Sequence, residues 1–227
     1  MKKIVFTALF AISVIGVFAG ILLHEKWLDY VFKPLIMISI GGYFIFCSGN
    51  IDKKTMGLAV SAFLFSLFGD SFLMFPDFFI PGLASFLIAQ VFYIFLFDHT
   101  IKISGEKPFL RKNYFWLTGY FIYGFSIYFL LFEKLDFVLK IAVFLYMLAL
   151  LGMSVLALNR YKTVSSVSFM LVFYGSLLFV VSDSLIALDR FLSPIPNGRI
   201  FVMSTYIAAQ YLMMRGILKQ FEKETVN

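Results

Sequence analysis

Two aspartates stand where a carboxylate is costly. Asp70 lies within SLFGDSFLMF and Asp183 within FVVSDSLIAL, each an otherwise uncharged apolar stretch. At membrane depth such a group costs about 2.5–3.5 kcal/mol on insertion scales, so a retained one points to function by default. If the two meet in a low-dielectric site they cannot both ionise cheaply, and one stays protonated beside an ionised partner. That is equipment for general acid–base hydrolysis or for relaying protons. The same side chains could instead bond across helices to Gln90, Gln210, Tyr93 or Tyr206 as packing glue, although an amide or hydroxyl would do that more cheaply.

The surroundings of the two aspartates are duplicated. GDS is followed downstream by IAQVFY, and SDS by AAQYLM, which pairs Asp70 with Gln90 and Asp183 with Gln210. Gly69, Ser71, Ser182 and Ser184 are small enough to let helices approach closely and supply hydroxyl partners. Tyr93 follows Gln90 by three positions and Tyr206 precedes Gln210 by four, so each tyrosine shares a helix face with its glutamine. These tyrosines either bind a substrate or satisfy the amides. Lys33, in YVFKPL, reads as a phosphate or headgroup anchor at the mouth of a span, or as a snorkelling lysine, with Pro34 in the first helical turn. Asp189, Arg190 and Arg199 read as solvated loop charges, and His24 and His99 as loop residues. Cys47 is the one cysteine, so neither a disulfide framework nor a cysteine metal site is expected. No G-x-S-x-G, Walker, Rossmann or H-E-x-x-H pattern occurs.

What must hold these residues is a membrane domain. The chain is 61% hydrophobic and only 14% charged, with a mean hydropathy of +0.93, far from a soluble domain. Eight apolar segments are long enough to cross a bilayer: 4–23, 31–48, 55–75, 79–97, 113–132, 137–157, 166–187 and 200–218. The fold class is therefore all-α, a polytopic membrane protein with eight transmembrane helices in a single domain over residues 1–227. Spans 3 and 7 run the same way, so the duplication predicts a four-plus-four parallel repeat. It also places both aspartates some five residues from the outer ends of their helices. The opening MKK and apolar run also resemble a signal peptide, but the run is long and no A-x-A site follows, which favours an uncleaved first span. DHTIKISGEKPFLRKN is the longest polar loop. With the N-terminus inside, thirteen of the 19 basic residues fall on inner segments, which predicts both termini cytoplasmic. The net charge of +6 is accounted for by this bias and predicts no nucleic-acid partner. The absence of organelle-targeting segments and the compact loops suit a bacterial inner membrane.

At these residues the chain resembles the YhhN-like lysoplasmalogenase family. KPLIM, SLFGDSFLM, GLASFLIAQVFYIFLF, GSLLFVVSDSLIALDRF and STYIAAQYLM are similar to that family's blocks, in the same order and over most of the chain. The resemblance implies an eight-helix membrane hydrolase that cleaves the vinyl ether of lysoplasmalogen. The products would be a fatty aldehyde and glycerophosphoethanolamine or glycerophosphocholine. It implies no cofactor, no metal and no obligate protein partner, only a lysophospholipid substrate and the surrounding membrane lipids. Asp70 and Asp183 would divide the acid and carboxylate roles, in either assignment. Lys33 would hold the phosphate, and Gln90, Tyr93, Tyr206 and Gln210 would orient substrate or water. Where the family more often has histidine, this chain has Gln90, so no essential proton transfer is expected there. Two other classes fit the residues alone: a proton-coupled transporter of a small amphiphile, and a structural membrane protein without turnover.

Overall fold

The computed structural model describes residues 2–222, within which every regular element is helical. Lys223, one of the basic residues assigned to the inner side, lies outside them. Eight long helices follow in order: α1 (Lys2–Leu23), α2 (Lys26–Cys47), α3 (Lys53–Phe72), α4 (Phe79–Ser104), α5 (Leu117–Phe132), α6 (Phe137–Asn159), α7 (Ser166–Phe191) and α8 (Gly198–Phe221). Short 3-10 turns occupy Pro76–Phe78, Phe109–Arg111 and Tyr114–Trp116.

Local chemistry sets the boundaries. Asp52 caps α3 by accepting from the backbone N–H groups of Lys54 and Thr55, both at 3.0 Å. Asp136 caps α6 through the Leu139 N–H, and Ser165 caps α7 through that of Ser168. Gly105, at φ +72°, ends α4 in the left-handed conformation that glycine adopts without a Cβ penalty. Short connections make consecutive helices antiparallel hairpins, and α1/α2, α3/α4 and α7/α8 pack along most of their lengths. In α7/α8 the close approach depends on Gly175, where a Cβ would lie only 3.0 Å from the Ala209 carbonyl and the Met213 nitrogen. The core runs through α3, α4, α7 and α8 and includes Phe63, Phe86, Phe97, Phe179 and Met213. At one end, fully buried Arg160 bonds Ser168 Oγ at 3.0 Å and Gln220 Oε1 at 2.7 Å, tying α6 to α7 and α8.

Seven of the described helices are long and apolar enough to cross a membrane, and the chain is an integral membrane protein. The eighth, α8, has the length, at 24 residues, but carries Arg199, Gln210, Arg215, Lys219 and Gln220. Several other expectations are corrected. α2 begins at Lys26, so Pro34 lies inside the helix and not in its first turn. The helix starts early because Lys26, Trp27, Leu28 and Asp29 all accept helical geometry, and Pro34 only removes one donor from a turn that neighbouring helices support. α4 continues through His99 to Ser104, taking in the first part of the polar segment assigned to a loop. There His99 Nε2 meets Asp52 at 3.2 Å. α3 stops two residues beyond Asp70, just ahead of Pro76, whereas α7 continues eight beyond Asp183 to the SPIP turn. The aspartates are therefore not equidistant from their helix ends.

Candidate active site

Asp70 is 2% exposed and both of its oxygens are engaged. Oδ2 accepts from the Tyr206 hydroxyl at 2.6 Å, and Oδ1 lies 3.5 Å from Lys33 Nζ. The other predicted residues extend this cluster. Gln210 Nε2 donates to Ser66 Oγ at 3.1 Å and to the Tyr206 hydroxyl at 3.4 Å. Its Oε1 accepts from the Tyr93 hydroxyl at 2.5 Å. One polar chain thus links α2, α3, α4 and α8.

Asp183 forms a separate cluster. Its Oδ2 accepts two bonds, from the Tyr146 hydroxyl at 2.5 Å and from Gln90 Nε2 at 3.2 Å. Its Oδ1 has no hydrogen-bond partner among the described residues. Gln90 Oε1 is likewise buried without a partner there. The two carboxylates, expected to meet, share no hydrogen bond. A trio of rings packs within a turn of Asp183 and Gln90, with Tyr206 edge-on to Phe86 at 5.9 Å and to Phe179 at 5.7 Å. Each aspartate instead reaches across the chain's midpoint, Asp70 to α8 and Asp183 to α4.

Tyr146 was missed by sequence reasoning because its neighbours on α6 are apolar and tyrosines are common in this chain. One signal was available: Tyr146 follows Lys33 by the same interval that separates Asp183 from Asp70. The loop charges are also reassigned. Arg199 pairs with Asp29, joining the first turns of α8 and α2. The Arg190 guanidinium lies 3.8 Å over the Phe79 ring, and Asp189 accepts from the Ile195 N–H at 2.7 Å. Together with Lys33 these residues line a polar cavity of about 400 Å³. They gather there because α7 continues past its predicted end and α2 begins before its predicted start.

The polar cavity shares Leu73, Phe79 and Ile186 with an apolar groove of about 60 Å³ that contains Tyr146 and Asp183. A second apolar groove, of about 50 Å³ between α5, α6 and α7, shares Asp183, Tyr146, Val143 and Ala187 with the first. A polar cavity and two apolar grooves therefore adjoin one another, with Lys33, the partner of Asp70, on the polar side and Asp183 on the apolar side. No cluster of three or more His, Cys, Asp or Glu able to hold a metal occurs among the described residues.

An all-helical membrane protein with two buried acid clusters at the meeting of a polar and an apolar cavity is a defined class. Residues 28–217 match the YhhN family model, and the chain belongs to that family. It is 31% identical over 193 residues to bovine (Bos taurus) lysoplasmalogenase TMEM86A, covering 79% of this chain and 70% of that one. It is 27% identical over 196 residues to human (Homo sapiens) lysoplasmalogenase TMEM86B, covering 86% and 77%. The pig (Sus scrofa) TMEM86B lysoplasmalogenase is 29% identical over 192 residues, covering 84% and 75%. No solved structure matches.

Proposed function

We propose that the protein is a lysoplasmalogenase, hydrolysing the vinyl ether of a lysophospholipid to a fatty aldehyde and a glycerophospho-alcohol. The names of its relatives point to this chemistry. The observation that carries it is the wall of Leu73, Phe79 and Ile186, shared by a charged cavity, where Lys33 leads to Asp70, and an apolar groove that contains Asp183. A lysophospholipid has the same division, and its vinyl ether lies where the two parts join.

The division assigns the roles. Hydrolysis begins when a proton adds to the β-carbon, the vinyl carbon on the chain side. The π electrons form the new C–H bond and leave an oxocarbenium ion across oxygen and the α-carbon. Water adds to the α-carbon and loses a proton, and the hemiacetal collapses to aldehyde and free hydroxyl. The acid therefore belongs on the apolar side, where Asp183 Oδ1 is free to carry a proton while Oδ2 is held by Tyr146 and Gln90. Asp70, paired with Lys33 and bonded by Tyr206, remains an anion on the headgroup side. There it stabilises the developing cation and receives the water's proton, as carboxylate pairs do in glycoside hydrolysis. Gln90 Oε1 is available to a substrate or water hydroxyl, and Lys33 lies at the cavity wall for the phosphate.

The arrangement in the membrane belongs to the same reading. α8 crosses with the other seven helices, shielded by α7, and both termini face the cytoplasm of a bacterial inner membrane. The halves α1–α4 and α5–α8 are related as a parallel repeat. In support, α2/α3 contacts recur as α6/α7, α3/α4 as α7/α8, and α2/α8 as α6/α4.

The test is purified protein in detergent with a lysoplasmalogen, measuring aldehyde. Wild type should release it, while Asp70→Asn and Asp183→Asn, with helical circular dichroism intact, should not. Full activity in either variant would overturn the mechanism. A protein that moves the lipid across vesicles without releasing aldehyde would be a transporter.

A further inference from the structure

The polar cavity carries more charge than a phosphate anchor needs, and its charges are of both signs. Three cations, Lys33, Arg190 and Arg199, and two carboxylates, Asp29 and Asp189, line it. Asp70 lies directly behind Lys33, so the six groups balance. Two of these pairs are closed on themselves, Lys33 with Asp70 and Arg199 with Asp29. The open charges are Arg190, which has a ring but no carboxylate partner among the described residues, and Asp189, which gives one oxygen to Ile195. These two are adjacent on α7.

We propose that this cavity is a headgroup site for a phosphodiester of a primary amino alcohol, with Arg190 on the phosphate and Asp189 on the ammonium; the inference rests on the lysoplasmalogenase reading of the adjoining carboxylates. A balanced cavity suits a zwitterion. A purely anionic glycerol phosphate would leave Asp189 facing its negative charge, which costs binding energy without a counter-charge. The site also discriminates between amines. A primary ammonium donates N–H bonds to a carboxylate, and such charge-assisted bonds are among the strong ones. A trimethylammonium has none to give and is recognised by open aromatic faces. Phe79 is the single aromatic side chain lining this cavity, and the Arg190 guanidinium already covers its face. The ethanolamine ester should therefore bind more tightly than the choline ester.

The experiment is isothermal titration of the full-length protein in detergent with three soluble probes: glycerophosphoethanolamine, glycerophosphocholine and glycerol 3-phosphate. Glycerophosphoethanolamine should bind at least about tenfold more tightly than either of the others, the worth of one charge-assisted bond. Arg190→Gln should weaken both amino esters by a similar factor, and Arg190→Lys should recover part of the loss. Asp189→Asn keeps the acceptor for Ile195 and so the local fold, and should abolish the preference between the amino esters. Equal binding of the two amino esters, tighter binding of glycerol 3-phosphate, no binding of any probe, or an unchanged preference in Asp189→Asn overturns the assignment. The arms separate from turnover. Preferential binding without aldehyde release leaves the headgroup site standing and removes the hydrolase. Aldehyde release without the binding preference does the reverse.

Discussion

Asp70 and Asp183 lie in similar short Asp-Ser motifs, one in each half of the chain, yet their surroundings differ in kind. The residue that reaches Asp70 from α2 is Lys33, a cation, and its counterpart on α6, reaching Asp183, is Tyr146. Asp70 has both oxygens held and lies beside a charged cavity, while Asp183 has one oxygen free and opens to apolar grooves. The cation favours an anion at one site, and a neutral donor leaves the other able to carry a proton. In the mechanism and repeat proposed above, the two roles would follow from the exchange of a lysine for a tyrosine beside the aspartate.

The contrast can be broken most severely at the carboxylates themselves. Asp183→Asn removes the proposed proton donor and should lower kcat by about 10²–10⁴-fold, the usual worth of a general acid. Asp70→Asn should act as strongly, with aldehyde release under saturating lysoplasmalogen as the measure. Next comes Lys33→Met. It leaves a buried carboxylate without its cation and should destabilise the protein by about 3 kcal/mol, read as a lower Tm in detergent. Lys33→Met combined with Asp70→Asn should recover much of that Tm, because the uncompensated charge is gone, while staying inactive. Tyr146→Phe tests the other half. Loss of one hydrogen bond to Asp183 should cost about 1 kcal/mol, and kcat should fall roughly in proportion while KM holds. If Tyr146→Phe lowered Tm as much as Lys33→Met, the two sites would be alike and the contrast would fail. The smallest effect is expected far from both, at Asp52. Burial alone would raise its pKa, but bonds from the Thr55 side chain and backbone and from His99 together hold it at about 2. Its stabilisation is therefore complete above the unfolded carboxylate range near 4 and is lost as pH falls from there through 2. Asp52→Ala should lower stability by about 1 kcal/mol at neutral pH, as for a helix cap, and should change little at pH 2.

The aspartates were legible because carboxylates are conspicuous in apolar sequence, the glutamines because an Ala-Gln step follows each aspartate, and the tyrosines because each shares a helix face with a glutamine. Helix existence followed from span length. Helix ends did not, and the charged cavity depends on them. Asp29 and Arg199 are 170 positions apart, and what brings them together is that α2 and α8 both start nearer the turns than hydropathy alone predicts. Arg190 reads as a loop charge until α7 is seen to continue beneath it. Tyr146 carries no local signal, since one hydroxyl in an apolar helix reads as another large side chain. His99 was placed in a loop because Asp98 and Lys102 read as polar, although an ion pair between them at i and i+4 supports a helix.

The polarity of α8 bears on how the site comes into being. Its two arginines and its lysine oppose unaided entry into lipid, since each such residue at depth costs about 2.5–3.5 kcal/mol on the biological insertion scale. In the eight-span arrangement proposed above, α8 enters against α7, whose Gly175 admits its backbone. Tyr206 and Gln210 are then the last members of the Asp70 cluster to arrive. Synthesis up to α7 would leave Lys33 and Asp70 facing one another with the hydroxyl bond still missing. On the proposed mechanism, chemical competence would be acquired only when the final helix docks, so a nascent chain in the bilayer would hold both carboxylates before it could use them together.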